Sequence, residues 1–423
     1  MLDPKIQAAY TAILKEELVM ATGCTEPIAI AYAAAKLRQV MGTLPTTIRA
    51  EVSGNIIKNV KSVVVPNTGG LKGIEAAVAA GAVAGDADKE LQVISSVAPE
   101  RHKNIADYLA KNPVQVVCAD TPHILDIRLV GECNGETASV RIADRHSNIV
   151  EIVKNGQVLL SKAEDAQTDE DQTDRSLLNL HDILLYAEQV PLEEVEPMLE
   201  RQIRCNSAIA QEGLEHSWGA NIGSTILKEY GNDIKVEARA WAAAGSDARM
   251  SGCEMPVVIL SGSGNQGMTA SLPVIRYAKY LNATKEQLYR ALLVSDLVTV
   301  YQKVGIGRLS AYCGAVSAGV GAGTGIAYLQ GADETALAHT IVNAVAILSG
   351  TICDGAKPSC AAKIAASVDA GILGYLMYRN GYEFKRGEGI VGPSVASTVN
   401  NVGVLAQQGM HGTDQTILKI MTQ

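Results

Sequence analysis

The sequence predicts an α+β fold, in which a mixed α/β domain with hairpins is followed by a mostly helical domain rich in glycine and alanine. Three observations lead to this prediction. Two Asn-Gly pairs each lie between segments of alternating polarity, which is the pattern of β-hairpins. Helical periodicity dominates from residue 177 onwards. Residues 163–176 (AEDAQTDEDQTDRS) contain six acidic residues and no hydrophobic pattern, as expected of an exposed linker between the two parts.

Residues 1–45 are predicted to form two helices, for which the helical domain is a candidate packing partner. Asp3 and Pro4 provide an N-cap and a proline at the first helical position. Gly23 suits the end of this first helical run, and Pro27 suits the start of the next. Cys24, in the segment GCTEP, is therefore expected at a junction between two helices.

Residues 46–162 are predicted to form the mixed α/β domain. Strands are expected at TTIRAEVS, VKSVVVPN, LQVISSVA and VQVVCAD, and helices at GLKGIEAAVAAGAVAG and around residues 100–111. The hairpins are expected at Asn134-Gly135 and Asn155-Gly156. Residues 177–423 are then assigned to the helical domain.

Composition limits the classes of function. The 423 residues include 36 basic and 45 acidic ones, a net charge of −9, and aromatic residues make up only 4% of the chain. This balance argues against binding to nucleic acid. Residues 309–332 carry no charge, but glycine, alanine and serine dominate them, which favours a tightly packed helix over a membrane span. Eight cysteines without a secretory signal indicate a cytoplasmic protein with reduced thiols.

Three of the cysteines, Cys313, Cys353 and Cys360, lie among small residues next to predicted helix breaks. Their spacing is poor for zinc, because four-cysteine zinc sites usually show two close pairs. Three thiolates from separated segments could instead bind three irons of a cubane cluster and leave the fourth iron open to substrate. Spacing alone leaves the alternative open that these residues fill the core as small apolar side chains.

Two polar segments are candidates for ligand binding. The segment SGSGNQG, residues 261–267, could use its backbone N–H groups to hold a carboxylate or phosphate, or could form only a tight turn. The segment SGNIIKNV places Asn55 and Lys58 in a predicted turn between two strands, where a polar hairpin tip explains them equally well. Asp247 and Arg249 are interpreted as an exposed salt bridge.

Taken together, the motifs resemble a known family. GCTEP, SGNIIKN, SDARM, SGSGNQG, RLSAYCGA, CDGAKPSCAAK and EGIVG occur in the order seen in L-cysteine desulfidases, which are related to the α region of iron–sulfur L-serine dehydratases. The resemblance implies a [4Fe–4S] cluster held by Cys313, Cys353 and Cys360. It also implies a fourth functional cysteine at Cys24, as a base or as a resting ligand that the substrate displaces.

The function implied is the β-elimination of L-cysteine to pyruvate, ammonia and sulfide, with the cluster as a Lewis acid. L-serine ammonia-lyase, a non-catalytic iron–sulfur or amino-acid sensor, and a pyridoxal-phosphate lyase are the alternatives. The expected partner is a small amino acid, with no membrane contact, and a homo-oligomer is left open. The candidates for holding the substrate are Asn55, Lys58, Gly262, Ser263, Gly264 and Asn265.

Overall fold

A six-stranded mixed sheet and a bundle of long helices make up the structure, a computed structural model that describes residues 1–23, 25–162, 173–307 and 310–422. The α+β class is thereby confirmed. One hydrophobic core lies between the sheet and its helices, and a second, larger core lies within the helical bundle. The helices mostly follow the sheet in the chain, with the exceptions described below.

The first helix belongs to the helical bundle and the second to the sheet. Helix α1 (Pro4–Glu17) begins after Asp3, whose side chain accepts a hydrogen bond from the backbone of Lys5, as predicted for an N-cap. Its residue Thr11 shares a buried hydrogen bond of 2.8 Å with Tyr186. Strand β1 (Met20–Thr22) follows, and α2 (Thr25–Met41) packs into the sheet core. The N-terminal segment is therefore divided between the two cores.

The sheet is antiparallel except at one end, and its strands run in the order β3-β2-β4-β5-β6-β7. Only β2 and β3 pair in parallel. Both hairpins are confirmed, because Asn134-Gly135 and Asn155-Gly156 adopt the positive φ angles that tight turns require. The strands are β2 (Thr47–Val52), β3 (Val114–Cys118), β4 (Asp126–Cys133), β5 (Glu136–Ala143), β6 (Ile149–Lys154) and β7 (Gln157–Ser161).

Helices α2, α4 (Gly73–Ala84) and α5 (His102–Lys111) pack around the sheet core. The approach of α2 to α4 depends on a glycine. A Cβ atom added at Gly81 would lie 2.0 Å from the carbonyl oxygen of Ala31. The small residues of the segment GLKGIEAAVAAGAVAG thus let two backbones come into contact, as the predicted helix requires.

Three sequence predictions in this part are wrong. SGNIIKNV forms helix α3 (Gly54–Val60) instead of a turn, because its apolar residues recur at helical spacing and are buried against the sheet core. VKSVVVPN makes only one bridge, between Val64 and Lys72, since the proline and a left-handed Asn67 interrupt it. LQVISSVA lies in a 3₁₀ segment (Ala87–Gln92) and the turns that follow, so its apolar side chains reach the core without a partner strand.

The helical part contains eleven α-helices and one short strand in the described residues. The strand β8 (Pro256–Val258) pairs antiparallel with β1. The helices are α6 (Leu180–Gln189), α7 (Leu192–Glu215), α8 (Ile222–Tyr230), α9 (Ile234–Met250), α10 (Gly264–Tyr280), α11 (Lys285–Ile306), α12 (Gly314–Leu329), α13 (Glu334–Leu348), α14 (Cys360–Arg379), α15 (Val395–Val404) and α16 (His411–Thr422).

Residues 163–172 of the predicted acidic linker lie outside the described residues. Its last residues are attached to α1, because Thr173 donates hydrogen bonds to Glu16. Arg175 forms ion pairs with both Glu16 and Glu17. The helical part is therefore fastened to the N-terminal helix at the point where it begins.

Helix α12 is the centre of the helical bundle and accounts for most of the uncharged stretch 309–332. It packs against α10, α11, α13 and α14, and nearly all its residues are buried. Among the described residues, α14 has the length and apolar composition of a membrane span, but 56% of its most apolar stretch is buried inside the protein. A buried core helix of a protein can have the same length and apolar composition as a membrane span.

Close contact between α12 and α14 makes a first prediction. A Cβ atom at Gly371 would lie 2.1 Å from the carbonyl oxygen of Gly319, and neither backbone can withdraw without opening the core. We expect Gly371→Ala to lower the free energy of unfolding by about 1–3 kcal/mol, measured by denaturant unfolding. Gly412→Ala is the control, because no atom lies within 4 Å of its added Cβ. Equal stability of the two variants would contradict this packing.

Candidate active site

Three chain segments bring the cysteines Cys313, Cys353 and Cys360 to one cavity of about 130 Å³. Cys313 is the N-cap of α12, Cys353 lies in the loop after α13, and Cys360 is the first residue of α14. A bridge between Tyr312 and Ile352 holds the first two segments side by side. The backbone of Cys313 donates to Thr351 at 3.0 Å, so the position of its thiol is fixed by the backbone of the neighbouring loop.

The surroundings of these thiols oppose negative charge unless a cation is present. Burial raises the pKa of Cys313 well above its usual value, and the nearby thiol of Cys353 adds to the effect. Burial also raises the pKa of Cys360, against the opposing influence of Lys357. Buried thiols such as those of Cys313 and Cys360 ionise more readily when a metal centre supplies the compensating positive charge.

The three thiols line one cavity without meeting at a single point. In the described ranges, no three side chains of His, Cys, Asp and Glu are grouped closely enough to bind one metal ion. The cysteines instead face a shared space from separate segments. Three cysteine side chains from separate segments are a set of residues that could hold an iron–sulfur cluster.

Helix α3 forms another wall of this cavity through Lys58 and Asn59. The ammonium of Lys58 is 2.5 Å from the carboxylate of Asp414 in α16, so a helix from the end of the chain already engages its charge. Asn55 does not line the cavity. Its Oδ1 atom is buried and has no hydrogen-bond partner among the described residues. The structure therefore brings Lys58 to the cysteines and leaves Asn55 outside.

The glycine-rich segment forms a tight turn and then the start of α10. Ser261 and Gly262 adopt left-handed φ angles of 48° and 73°. Both residues line the cavity together with Ser263 and Asn265, while Gly264 instead packs against the guanidinium of Arg249. The free N–H groups at the start of this long helix give the wall a partial positive charge.

Glu17 holds this turn in place. Its carboxylate accepts a hydrogen bond of 2.9 Å from the backbone N–H of Ser261 and also pairs with Arg175. Since Ser261 occupies a backbone conformation that non-glycine residues seldom adopt, an external anchor of this kind stabilises it. The position of the turn is therefore set by the last residue of α1.

Arg249 is a residue of the site that sequence analysis misjudged. Asp247 and Arg249 were expected to form an exposed salt bridge, but both side chains are buried and they do not pair. Asp247 accepts a hydrogen bond from the backbone of Gly223, whereas Arg249 donates to the carbonyl of Gly23 and to Asn265. The two side chains lie on different faces of α9, so each finds its own partners.

Lys303 and Gln266 were missed by the sequence analysis. Lys303 lies near the end of α11, lines the cavity and is only 7% exposed. Burial lowers its pKa to about 8, although the thiols of Cys353 and Cys313 act in the opposite direction. Gln266 also lines the cavity, and its Oε1 atom is buried without a described partner. The one available signal was a lysine within the otherwise apolar pattern of a long helix.

A second cavity of about 930 Å³ lies between the sheet and the helical bundle and adjoins the first. Glu26, Ser261 and Gly262 line both cavities. The larger one has mainly apolar walls, formed by residues such as Val19, Met20, Ile94, Ile124 and Ile259. The two cavities therefore meet at Glu26, Ser261 and Gly262. Cys24, the predicted catalytic cysteine, lies outside the described residues.

The comparison with known families agrees with this geometry. A family model described as "Serine dehydratase alpha chain" matches residues 88–419, which include the three cysteines and the glycine-rich segment. The chain belongs to the serine dehydratase alpha chain family. The family indicates lyase activity on an amino acid and is associated with iron–sulfur enzymes. Its model does not extend to the segments GCTEP and SGNIIKN.

Relatives named UPF0597 proteins match nearly the whole chain. A UPF0597 protein of Desulfitobacterium hafniense (strain Y51) is 56% identical over 97% of this chain and 96% of its own length. UPF0597 proteins of Lachnoclostridium phytofermentans and Treponema denticola are 51% and 46% identical, covering 97% and 99% of this chain and 98% and 99% of their own. The sequence similarity to these relatives therefore covers both the sheet and the helical bundle of this chain.

Proposed function

We propose that this serine dehydratase alpha chain family member is an L-cysteine desulfidase, which converts L-cysteine to pyruvate, ammonia and sulfide. The observation that carries the proposal is the single small cavity shared by Cys313, Cys353, Cys360 and Lys303. It combines candidate ligands for a cluster with a buried amine in one enclosed space. The ordered motifs of the sequence favour cysteine as the substrate.

The three cysteines would hold a [4Fe–4S] cluster, with one iron not bound by these ligands. When bound, the cluster supplies a Lewis acid that assists departure of the sulfur from the β-carbon. Lys363 supports this wall, because its ammonium donates to Asp354 and to the carbonyl of Ile352 beside Cys353. The loop that carries Cys353 is thereby held to α14.

The substrate carboxylate has a matching set of donors. The guanidinium of Arg249 lies next to Asn265, at a hydrogen bond of 3.3 Å, and both line the cavity beside the first turn of α10. An arginine, an amide and a helix N-terminus are all favourable partners for a carboxylate. We assign the binding of the substrate carboxylate to this wall, with Gly262 and Ser263 contributing the backbone of the turn.

We assign the removal of the substrate's Cα proton to the Nζ atom of Lys303. A lysine acts as a base only in its neutral form, and burial favours that form. Loss of the Cα proton and of the β-sulfur yields aminoacrylate and hydrogen sulfide. Aminoacrylate then takes up one water molecule to give pyruvate and ammonia. The predicted role of Cys24 as a base or displaceable ligand stays a prediction.

The elimination of water from L-serine is the second candidate, and the family match favours it directly. Serine differs from cysteine by one atom, and both fit the same donors. The deciding measurement is kcat/KM for the two amino acids on anaerobically reconstituted protein. We expect the larger value for L-cysteine, and a dominant activity on L-serine would overturn the desulfidase assignment.

The same preparation tests whether the protein is an enzyme at all. We expect iron and acid-labile sulfide in the reconstituted protein, release of pyruvate and sulfide in equal amounts, and loss of activity in air. Cluster binding without release of either product would indicate a sensor. Activity that is insensitive to air but sensitive to borohydride, in protein without iron, would indicate a pyridoxal-phosphate lyase.

A further inference from the structure

Glu26, near the start of α2, has a distinctive position at the boundary of the two cavities. Its side chain lines the cysteine cavity and also the larger cavity that adjoins it. Among the described residues that line the cysteine cavity, it is the only one with a carboxylate. A molecule that passes from the larger cavity into the cysteine cavity would therefore meet the carboxylate of Glu26 at the boundary between them.

The carboxylate of Glu26 has only weak partners in this structure. Asn59 donates to one oxygen at 3.4 Å, and the hydroxyl of Thr25 donates to the other at 3.3 Å. Both distances lie at the long end of the range for hydrogen bonds. Glu26 makes no ion pair with a basic side chain in the part of the chain that the structure describes. Glu26 is half-buried and has no strong partner among these residues. Its carboxylate can therefore accept further hydrogen bonds from a bound cation.

The other charged groups of the cavity are cationic. Lys58 is paired with Asp414, and Lys303 is assigned above to proton transfer, which leaves Arg249 as the cation that complements Glu26. A cavity that offers one cationic and one anionic group matches a zwitterion better than it matches a simple anion. An α-amino acid has this charge pattern, with its carboxylate and ammonium groups on one carbon atom.

We propose that Glu26 binds the α-ammonium group of the substrate and makes the site selective for α-amino acids over 2-hydroxy acids. This inference rests on the proposed function for the class of substrate, and it assigns a recognition residue that the lyase chemistry itself does not identify. The ammonium lies at the junction of the two cavities. The carboxylate and the β-substituent then extend into the cysteine cavity, towards Arg249 and the thiols.

The test compares two ligands that differ at the α-substituent. Dissociation constants of L-serine and L-glycerate are measured by calorimetry on anaerobically reconstituted wild-type protein and on Glu26→Gln. We expect the substitution to weaken the binding of L-serine by about 10–100-fold, since it removes a charge-assisted hydrogen bond. The binding of L-glycerate, which has a hydroxyl in place of the ammonium, is expected to change by less than about threefold. The KM for L-cysteine should rise in parallel with the weaker binding of L-serine.

Two further variants separate recognition from damage to the site. Glu26→Asp keeps the charge and is expected to keep a preference for L-serine, whereas Glu16→Gln, in the larger cavity only, should leave both dissociation constants unchanged. Iron content and thermal unfolding are measured for every variant. An unchanged preference in Glu26→Gln, equal weakening of both ligands, or no preference in the wild type would overturn the proposal.

The same experiment distinguishes this inference from the proposed function. Calorimetry measures ligand binding even when the protein does not convert the ligand to products. A protein that prefers L-serine through Glu26 but releases neither pyruvate nor sulfide would retain the recognition role and lose the lyase assignment. A protein that releases both products but shows no dependence of ligand preference on Glu26 would give the opposite result.

Discussion

Replacing Cys353 by serine is expected to remove most of the iron and acid-labile sulfide from the reconstituted protein and to lower kcat by at least about 100-fold. Substitutions of groups that only support metal ligands already cost about 10–100-fold, and loss of a ligand costs more. Serine is a harder ligand than cysteine, and iron–sulfur clusters prefer soft thiolate ligands. The loop itself should persist, because it is held by the backbone hydrogen bond from Cys353 to Ala311.

A matched control is available in the same part of the molecule. Cys205 lies in α7, is buried in the core of the helical bundle and does not line the cavity. Cys205→Ser should therefore keep the iron and sulfide content of the wild type. Full cluster content in Cys353→Ser, or equal losses in the two variants, would show that the proposed ligand set is wrong.

Replacing Lys303 by methionine should lower the catalytic activity without lowering the folding stability. We expect kcat to fall by about 10²–10⁴-fold, the usual contribution of a positioned acid or base. Folding stability should be unchanged or higher, because an ammonium group in this buried position has lost its hydration and methionine fills a similar volume. A residue with only a structural role would show the opposite pattern, in which stability falls together with activity.

The measurements for Lys303→Met are kcat and KM, iron content and the midpoint of thermal unfolding. Lys279→Met, at the exposed end of α10, is the control for loss of a lysine. We expect Lys303→Met to keep its cluster and to bind L-serine within about tenfold of the wild type, since the carboxylate is assigned to Arg249. A kcat equal to that of the wild type would remove Lys303 from the proposed chemistry.

The elements of the fold that the sequence predicted correctly are those with a strong local pattern. Asn134-Gly135 and Asn155-Gly156 specify their turns through backbone geometry, and long amphipathic helices such as α7 have a clear period. Helix α3 was missed because seven residues give too little periodicity to exclude a turn. Its burial depends on Gly355, whose Cβ would lie 1.9 Å from the carbonyl of Lys58, almost 300 positions earlier in the chain.

The candidate site could be predicted only where a motif spans neighbouring residues. The cysteines Cys313, Cys353 and Cys360 were singled out through the ordered set of motifs, and the structure places them on one cavity. Lys303 was not singled out, and Arg249, although part of the motif SDARM, was interpreted as exposed, because charged residues on helices are usually solvated. Their burial follows from long-range packing, as in the hydrogen bond from Arg249 to Gly23 across 226 positions. Pairings of this kind leave no local trace in a single sequence.

The attachment of α1 to the helical bundle has a consequence for the order of folding. During synthesis, α1 is made first, but Thr11 meets Tyr186 only after another 175 residues have been added. The sheet and its helices can form their own core in that interval. The apolar face of α1 stays exposed to water until the helices that cover it have been synthesised. The last cysteine ligand and then Asp414, the partner of Lys58, follow later still. We therefore expect acquisition of the cluster to be among the final steps of maturation.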